Sequence, residues 1–167
     1  QAYKTDIESP EALASQSGFS LTLPDDWYHS KHQVKQLWYR ANVRLAPGDA
    51  KVWAVYLPSV THNAEVFING VWVGQGGHFQ SPVSRHHNEP LLFDFSSALL
   101  QETDNIVDIR VKASFPTQGL MDQFYIAPRG ELIDAYQWKH FLRFDFIAWV
   151  SLGMYLTGLI IFVFWLV

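Results

Sequence analysis

The densest concentration of hydrogen-bonding side chains in this chain lies between Gln75 and Pro90. The run QGGHFQSPVSRHHNEP holds His78, Gln80, Ser81, Arg85, His86, His87 and Asn88. Planar polar groups of this kind bond to hydroxyls, and flat aromatic rings stack on a sugar ring, so the residue types suit a carbohydrate-like ligand. A connection of this length is uncommon in a compact domain unless it has a use. Aromatic partners are plentiful, with seven Trp among 167 residues. Trp53 sits in an apolar run and reads as core. Trp38 alternates onto the same side as Arg40, where it either covers a ligand surface or stacks on a neighbouring guanidinium. Trp72 follows a turn and alternates away from Val71 and Val73, which reads as exposed. The candidate ligand-binding residues are Trp38, Arg40, Trp72, His78, Gln80, Arg85, His86 and Asn88.

Other chemistries are poorly supported. Glycoside hydrolysis needs two carboxylates facing each other across a cleft. Asp25-Asp26 is the only adjacent Asp pair, and it follows Pro24 in what reads as a solvated loop. No nucleophile-elbow motif is present. Zinc needs three or four convergent ligands. His29 with His32, and His86 with His87, offer pairs without an acidic partner at metal spacing, so surface histidines are expected. No metal, cofactor or catalytic residue is assigned. The net charge of −4 and the absence of Cys argue against a charge-driven nucleic-acid binder and exclude disulfides and thiolate metal sites.

These residues need elements to hold them. Trp38 to Leu45 alternates, with Tyr39, Ala41, Val43 and Leu45 on one side and Trp38, Arg40, Asn42 and Arg44 on the other. Val52 to Leu57 is a more continuously apolar strand. Ala64 to Ile68 and Val71 to Val73 flank Asn69-Gly70, the strongest hairpin signal in the chain. Leu91 to Phe95, Ile106 to Lys112 and Leu120 to Ile126 complete a set of short strands, which predicts a β-sandwich or jelly roll. From Glu131, residues Leu132, Ile133, Tyr136, Phe141 and Leu142 follow a helical stripe.

The end of the chain differs in kind. Phe146 to Val167 is 22 residues long, 18 of them hydrophobic and none charged. As a helix it measures roughly 33 Å, enough for a hydrocarbon core of about 30 Å. Aromatic residues gather near both ends, as in interfacial belts. Gly153, Thr157 and Gly158 form a small-residue pattern suited to helix–helix contact, so a homodimer through membrane helices is expected. The predicted layout is an N-terminal arm over 1–17, loosely held; a jelly-roll domain over 18–128; a juxtamembrane helix over 129–145; and a transmembrane helix over 146–167. Cytoplasmic sequence is expected to follow Val167, because no stop-transfer charges close the span.

LWYRANVRL (Leu37–Leu45), VWAVYLPSV (Val52–Val60), AEVFINGVWVGQGG (Ala64–Gly77) and NIVDIRV (Asn105–Val111) together resemble the galactose-binding-like jelly roll. This is the sugar-binding domain at the N-terminus of β-galactosidases and β-glucuronidases. The most specific element is the hairpin pattern at Asn69, Gly70, Val73 and Gly74. The catalytic carboxylates of those enzymes sit in a separate barrel, so the resemblance implies no enzyme here. The join IAPRGELIDAYQWKHFL (Ile126–Leu142) and the span after it are similar to bacterial receptors in which an extracytoplasmic jelly roll precedes membrane helices and a histidine kinase or diguanylate cyclase. That resemblance implies an inner-membrane protein with residues 1–145 periplasmic. Lys139 and Arg143, just before the span, weigh mildly toward the opposite orientation. The expected role is an extracytoplasmic sensor that binds a small molecule or carbohydrate and passes a shift through the helix to an output module. The alternative is a membrane-tethered assembly module that docks a periplasmic protein.

Overall fold

The computed structural model describes residues 1–46, 48–61, 63–79 and 87–166, leaving aside the side chains of His87 and Asn88. The strands are β1 (Ala2–Tyr3), β2 (Asp25–Asp26), β3 (Gln36–Arg44), β4 (Val52–Thr61), β5 (Asn63–Ile68), β6 (Val71–Gly76), β7 (His87–Ser96), β8 (Asp104–Lys112), β9 (Leu120–Met121) and β10 (Tyr125–Pro128). Helix α1 (Arg129–His140) passes through a π turn (Phe141–Asp145) into α2 (Phe146–Leu166).

The strands form two antiparallel sheets. The first has the order β1-β3-β8-β5-β6; the second has β10-β4-β9-β2, with β7 also paired to β4. Their inner faces make the predicted sandwich core. Leu37 and Tyr39 of β3, Val66 and Ile68 of β5, and Val107, Ile109 and Val111 of β8 meet Trp53, Val55 and Leu57 of β4. Alternation therefore reads correctly along β3 and β8: one set of side chains turns inward.

The hairpin between β5 and β6 forms at Asn69 and Gly70, whose φ angles are 51° and 83°. Both are left-handed, as a type I′ turn requires. Farther along β6, a Cβ on Gly74 would lie 2.7 Å from the Phe93 ring, so glycine lets the two sheets close on each other there. Pro58 explains the irregular register between Leu57 and Val60 in the β4–β7 pairing, because it has no N–H for the ladder.

Other parts of the chain lie over both outer faces. Helix α1 lies on the second sheet, against β4, β7 and β10. Tyr136 meets Tyr56 edge-on at 6.3 Å, and Tyr125 stacks on the same ring at 6.2 Å. Ala54 and Tyr56 are buried from this side, while Trp53, Val55 and Leu57 are buried from the other. That double burial is why β4 reads as continuously apolar. The N-terminal arm covers the first sheet, which corrects the expectation of a loosely held segment: Ala2, Tyr3, Pro10 and Leu13 are all buried.

Helix α2 is exposed along its length and has no packing partner among the described residues. With α1 and the π turn it forms one unbroken helix, Arg129–Leu166, long and apolar enough to cross a membrane. Within it, Ser151 Oγ donates to Ile147 O at 2.9 Å and Thr157 Oγ1 to Gly153 O at 2.8 Å. These bonds to the preceding turn satisfy the two hydroxyls without water.

Candidate binding faces of the sandwich

The side chains opposite the core on the first sheet form a cross-strand ladder. Trp38 stands beside Arg110, and Arg110 beside Glu65. One step along, Arg40 stands beside Asp108, and Asp108 beside Phe67. Arg40 grips Asp108 with two bonds, Nε to Oδ1 at 2.7 Å and Nη2 to Oδ2 at 2.9 Å. Arg110 donates Nε to Gln36 Oε1 at 3.0 Å and Nη1 to Glu65 Oε2 at 2.9 Å. Its guanidinium also lies over the Trp38 ring at 5.9 Å and the Phe79 ring at 4.8 Å. Burial raises the Asp108 carboxyl above the usual carboxylate range, against the pull of Arg40. The bond to Asp108 in turn holds the Arg40 guanidinium more firmly protonated.

The part of this face around Trp38 is not open to solvent. Trp38 has no exposed surface. Its Nε1 donates to Ile7 O at 2.9 Å, and Gln36 Nε2 donates to Thr5 O at 2.9 Å and to Ile7 O at 2.8 Å. Arg40 Nη2 donates to Pro10 O at 3.0 Å. The arm thus occupies the surface expected to receive a ligand at Trp38 and Arg40. Of the two readings of Trp38, the guanidinium stack is the one present, with Arg110 of β8 as the partner.

The remaining candidates lie apart. Trp72 is 54% exposed on edge strand β6, opposite Phe67. His78 is exposed beyond the end of β6. Gln80, Arg85 and His86 lie outside the described residues, as does the side chain of Asn88. Trp38 and Arg40 share the ladder; Trp72 is on the same sheet but solvated, and His78 is exposed next to Phe79, whose ring meets Arg110.

A second polar group sits inside the fold. Asp25, read in the sequence as a solvated turn acid, is 1% exposed, and His32, read as a surface residue, is 5% exposed. Tyr39 donates its hydroxyl to Asp25 Oδ2 at 2.9 Å and accepts from Trp27 Nε1 at 2.7 Å. Ser30 Oγ donates to Asp25 Oδ1 at 2.6 Å. His32 Nε2 lies 3.2 Å from Asp25 Oδ2, a distance for an ion pair but without hydrogen-bond alignment. Burial drives the Tyr39 phenol far above its ordinary value, against the effect of the Trp27 bond. The inward position of Tyr39 is legible from alternation. Its distant partners Asp25 and Trp27 carry no local signal.

No family model and no curated protein matches the chain. Solved structures do. A crystal structure assigned as a β-galactosidase from Bacteroides fragilis aligns with a TM-score of 0.56 at 14% identity, covering 75% of this chain and 21% of that one. A β-glucuronidase from Ruminococcus gnavus, in complex with an N1-substituted uronic isofagomine, aligns with a TM-score of 0.50 at 17% identity, covering 67% of this chain and 20% of that one. The chain has the sugar-binding β-sandwich fold of glycoside hydrolases. At these identities the likeness concerns the fold alone. The matched part of this chain spans about a fifth of those enzymes, and here the sandwich continues into a long apolar helix.

Proposed function

We propose that this chain is the extracytoplasmic sensing part of a membrane-anchored signalling receptor and is not itself an enzyme. The observation that supports this most is the helix Arg129–Leu166. One end of it is packed on the second sheet, the other is a charge-free apolar segment, and no flexible linker lies between them. A ligand that changes how α1 packs on Tyr56 would bias the helix as a whole, and so an output module across the membrane. The ligand class is a carbohydrate or another small polar molecule. It would be received near His78, beyond the end of β6, because the Trp38 face is filled by the arm.

The test uses the full chain in lipid nanodiscs, screened with mono- and oligosaccharides. A ligand at about 100 times its Kd should stabilise the domain by about 2.7 kcal/mol. With a native output module attached, inserting Gly-Gly between Leu142 and Arg143 should abolish ligand-dependent output and leave ligand stabilisation intact. Unchanged output in that variant would sink the coupling.

One observation favours a second reading, a membrane-tethered assembly module. The chain itself covers much of both broad faces of the sandwich, while Val71 and Trp72 stay exposed at the hairpin. A flat saccharide screen, with a single discrete adduct from a photo-cross-linker at position 72, would favour it.

A further inference from the structure

We propose that the outer face of the first sheet is a peptide-binding groove, with residues 2–13 of the chain as its exchangeable ligand. The recognition chemistry is that of a peptide site. Three ladder side chains, Gln36, Trp38 and Arg40, direct their N–H groups at main-chain carbonyls of Thr5, Ile7 and Pro10. Such contacts hold an extended backbone whatever its side chains are. β1 adds to β3 as an edge strand, with Ala2 opposite Tyr39 and Tyr3 opposite Trp38.

Beyond the β1 pairing, side-chain specificity comes from the Leu13 pocket. Leu13 is 1% exposed and packs with Tyr3, Trp38 and Phe67. Pro10 is buried three residues before it, at the start of the short helical turn that delivers Leu13. Ala2 and Tyr3 are buried as well, Ala2 among the sandwich core, and Glu8 Oε1 lies 3.8 Å from Arg110 Nη2, whereas Lys4, Asp6, Ser9 and Glu11 face solvent and add little side-chain recognition.

The groove does not depend on the arm for its charge balance. Asp108 is already held by Arg40, and Arg110 by Glu65 and Gln36. Departure of the arm would therefore uncover paired groups rather than bare buried charges, and a preorganised face binds with less ordering cost. Residues 14–17, which tether the arm, are exposed. The partner class is an extended peptide bearing a proline and, three residues on, a leucine.

The test is a full-length chain in nanodiscs with a protease site inserted between Gln16 and Ser17. After cleavage, a fluorescent peptide of residues 1–16 is added at about 100 μM, well above a micromolar Kd. Uptake of the labelled peptide in place of the cut arm is the expected result, and retention of the cut arm with no uptake would overturn the exchange. A peptide carrying Leu13→Asp should bind roughly tenfold or more weakly, one carrying Asp6→Ala should bind unchanged, and saccharides should displace neither. The proposal is overturned if the arm leaves and the labelled peptide does not bind while the sheet signal in circular dichroism persists. Loss of that signal on cleavage would overturn it equally, because the groove would then not be preformed, and so would displacement by a sugar.

Discussion

The Tyr39 hydroxyl donates to Asp25 Oδ2 at 2.9 Å in a part of the core closed to water. Replacing Tyr39 by Phe leaves Asp25 one donor short and Trp27 Nε1 without its acceptor. The expected loss is about 1–3 kcal/mol in chemical denaturation. The pH dependence has a definite sign. The folded-state value of Tyr39 is raised, so its contribution is complete below the unfolded value of 10.0 and is lost as pH rises beyond it. Tyr39→Phe lacks that loss, so the stability gap between the two proteins should narrow above pH 10.0. A gap that stays constant there would show that the phenol is not shielded.

Gly119→Ala and Gly130→Ala should move stability in opposite directions. A Cβ on Gly119 would fall within the Trp27 ring, whose main-chain N donates to Gly119 O at 3.0 Å. Overpacking against a buried indole should cost about 1–3 kcal/mol. Gly130 lies in α1 with open space around its Cβ position. Alanine there should stabilise by up to about 1 kcal/mol. Thermal melts of the two variants against the parent decide it.

Ion pairs of similar length should differ in worth. Asp108 has a fully buried side chain and its partner Arg40 is 18% exposed. Asp108→Ala leaves that guanidinium uncompensated and should cost about 3 kcal/mol, the lower end for a buried pair. The Arg44–Asp104 pair, at 3.1 Å, has side chains 88% and 67% exposed. Asp104→Ala should shift the urea midpoint by the equivalent of 1 kcal/mol or less, and less again in high salt.

Leu13→Ala should loosen the arm before it touches the sandwich. Emptying a Leu pocket costs about 2–5 kcal/mol where the site cannot relax. Here the arm can release instead, which caps the global loss at its docking energy. Hydrogen exchange should speed up at Tyr3 and Trp38 and stay slow at Ile109 in β8. Equal acceleration at all three would mean that the arm and the core melt as one unit.

The alternation along β3 and β8 was enough to place the core face, and Asn69-Gly70 was enough to place the hairpin, because both are local signals. The charge-free run gave the apolar helix for the same reason. What sequence did not disclose was that the polar side of β3 is also buried at Gln36 and Trp38 and largely so at Arg40, while Asn42 and Arg44 stay exposed. Alternation separates two faces but says nothing about what lies on each. Arg40 and Asp108 are 68 positions apart, and Trp38 meets Ile7 across 31. Asp25 looked solvated because it follows Pro24 and adjoins Asp26 in what reads as a loop, whereas its neighbours in space are Tyr39 and His32. For the binding residues, the amino-acid types at Trp38 and Arg40 did mark a contact surface, but one occupied by the chain itself.

The covering of both sheets by opposite ends of the chain sets an order of assembly. The arm is synthesised before the sheet it covers, whose β8 comes about a hundred residues later. The second sheet acquires its outer layer only with residues 129–140, immediately before the apolar helix. Until then Ala54 and Tyr56 face water. The domain therefore completes late, through contacts of long sequence separation, which favours slow closure and exposes a partly built sandwich to aggregation. A chaperone that shields β4 until α1 emerges would act on the most vulnerable surface in the molecule.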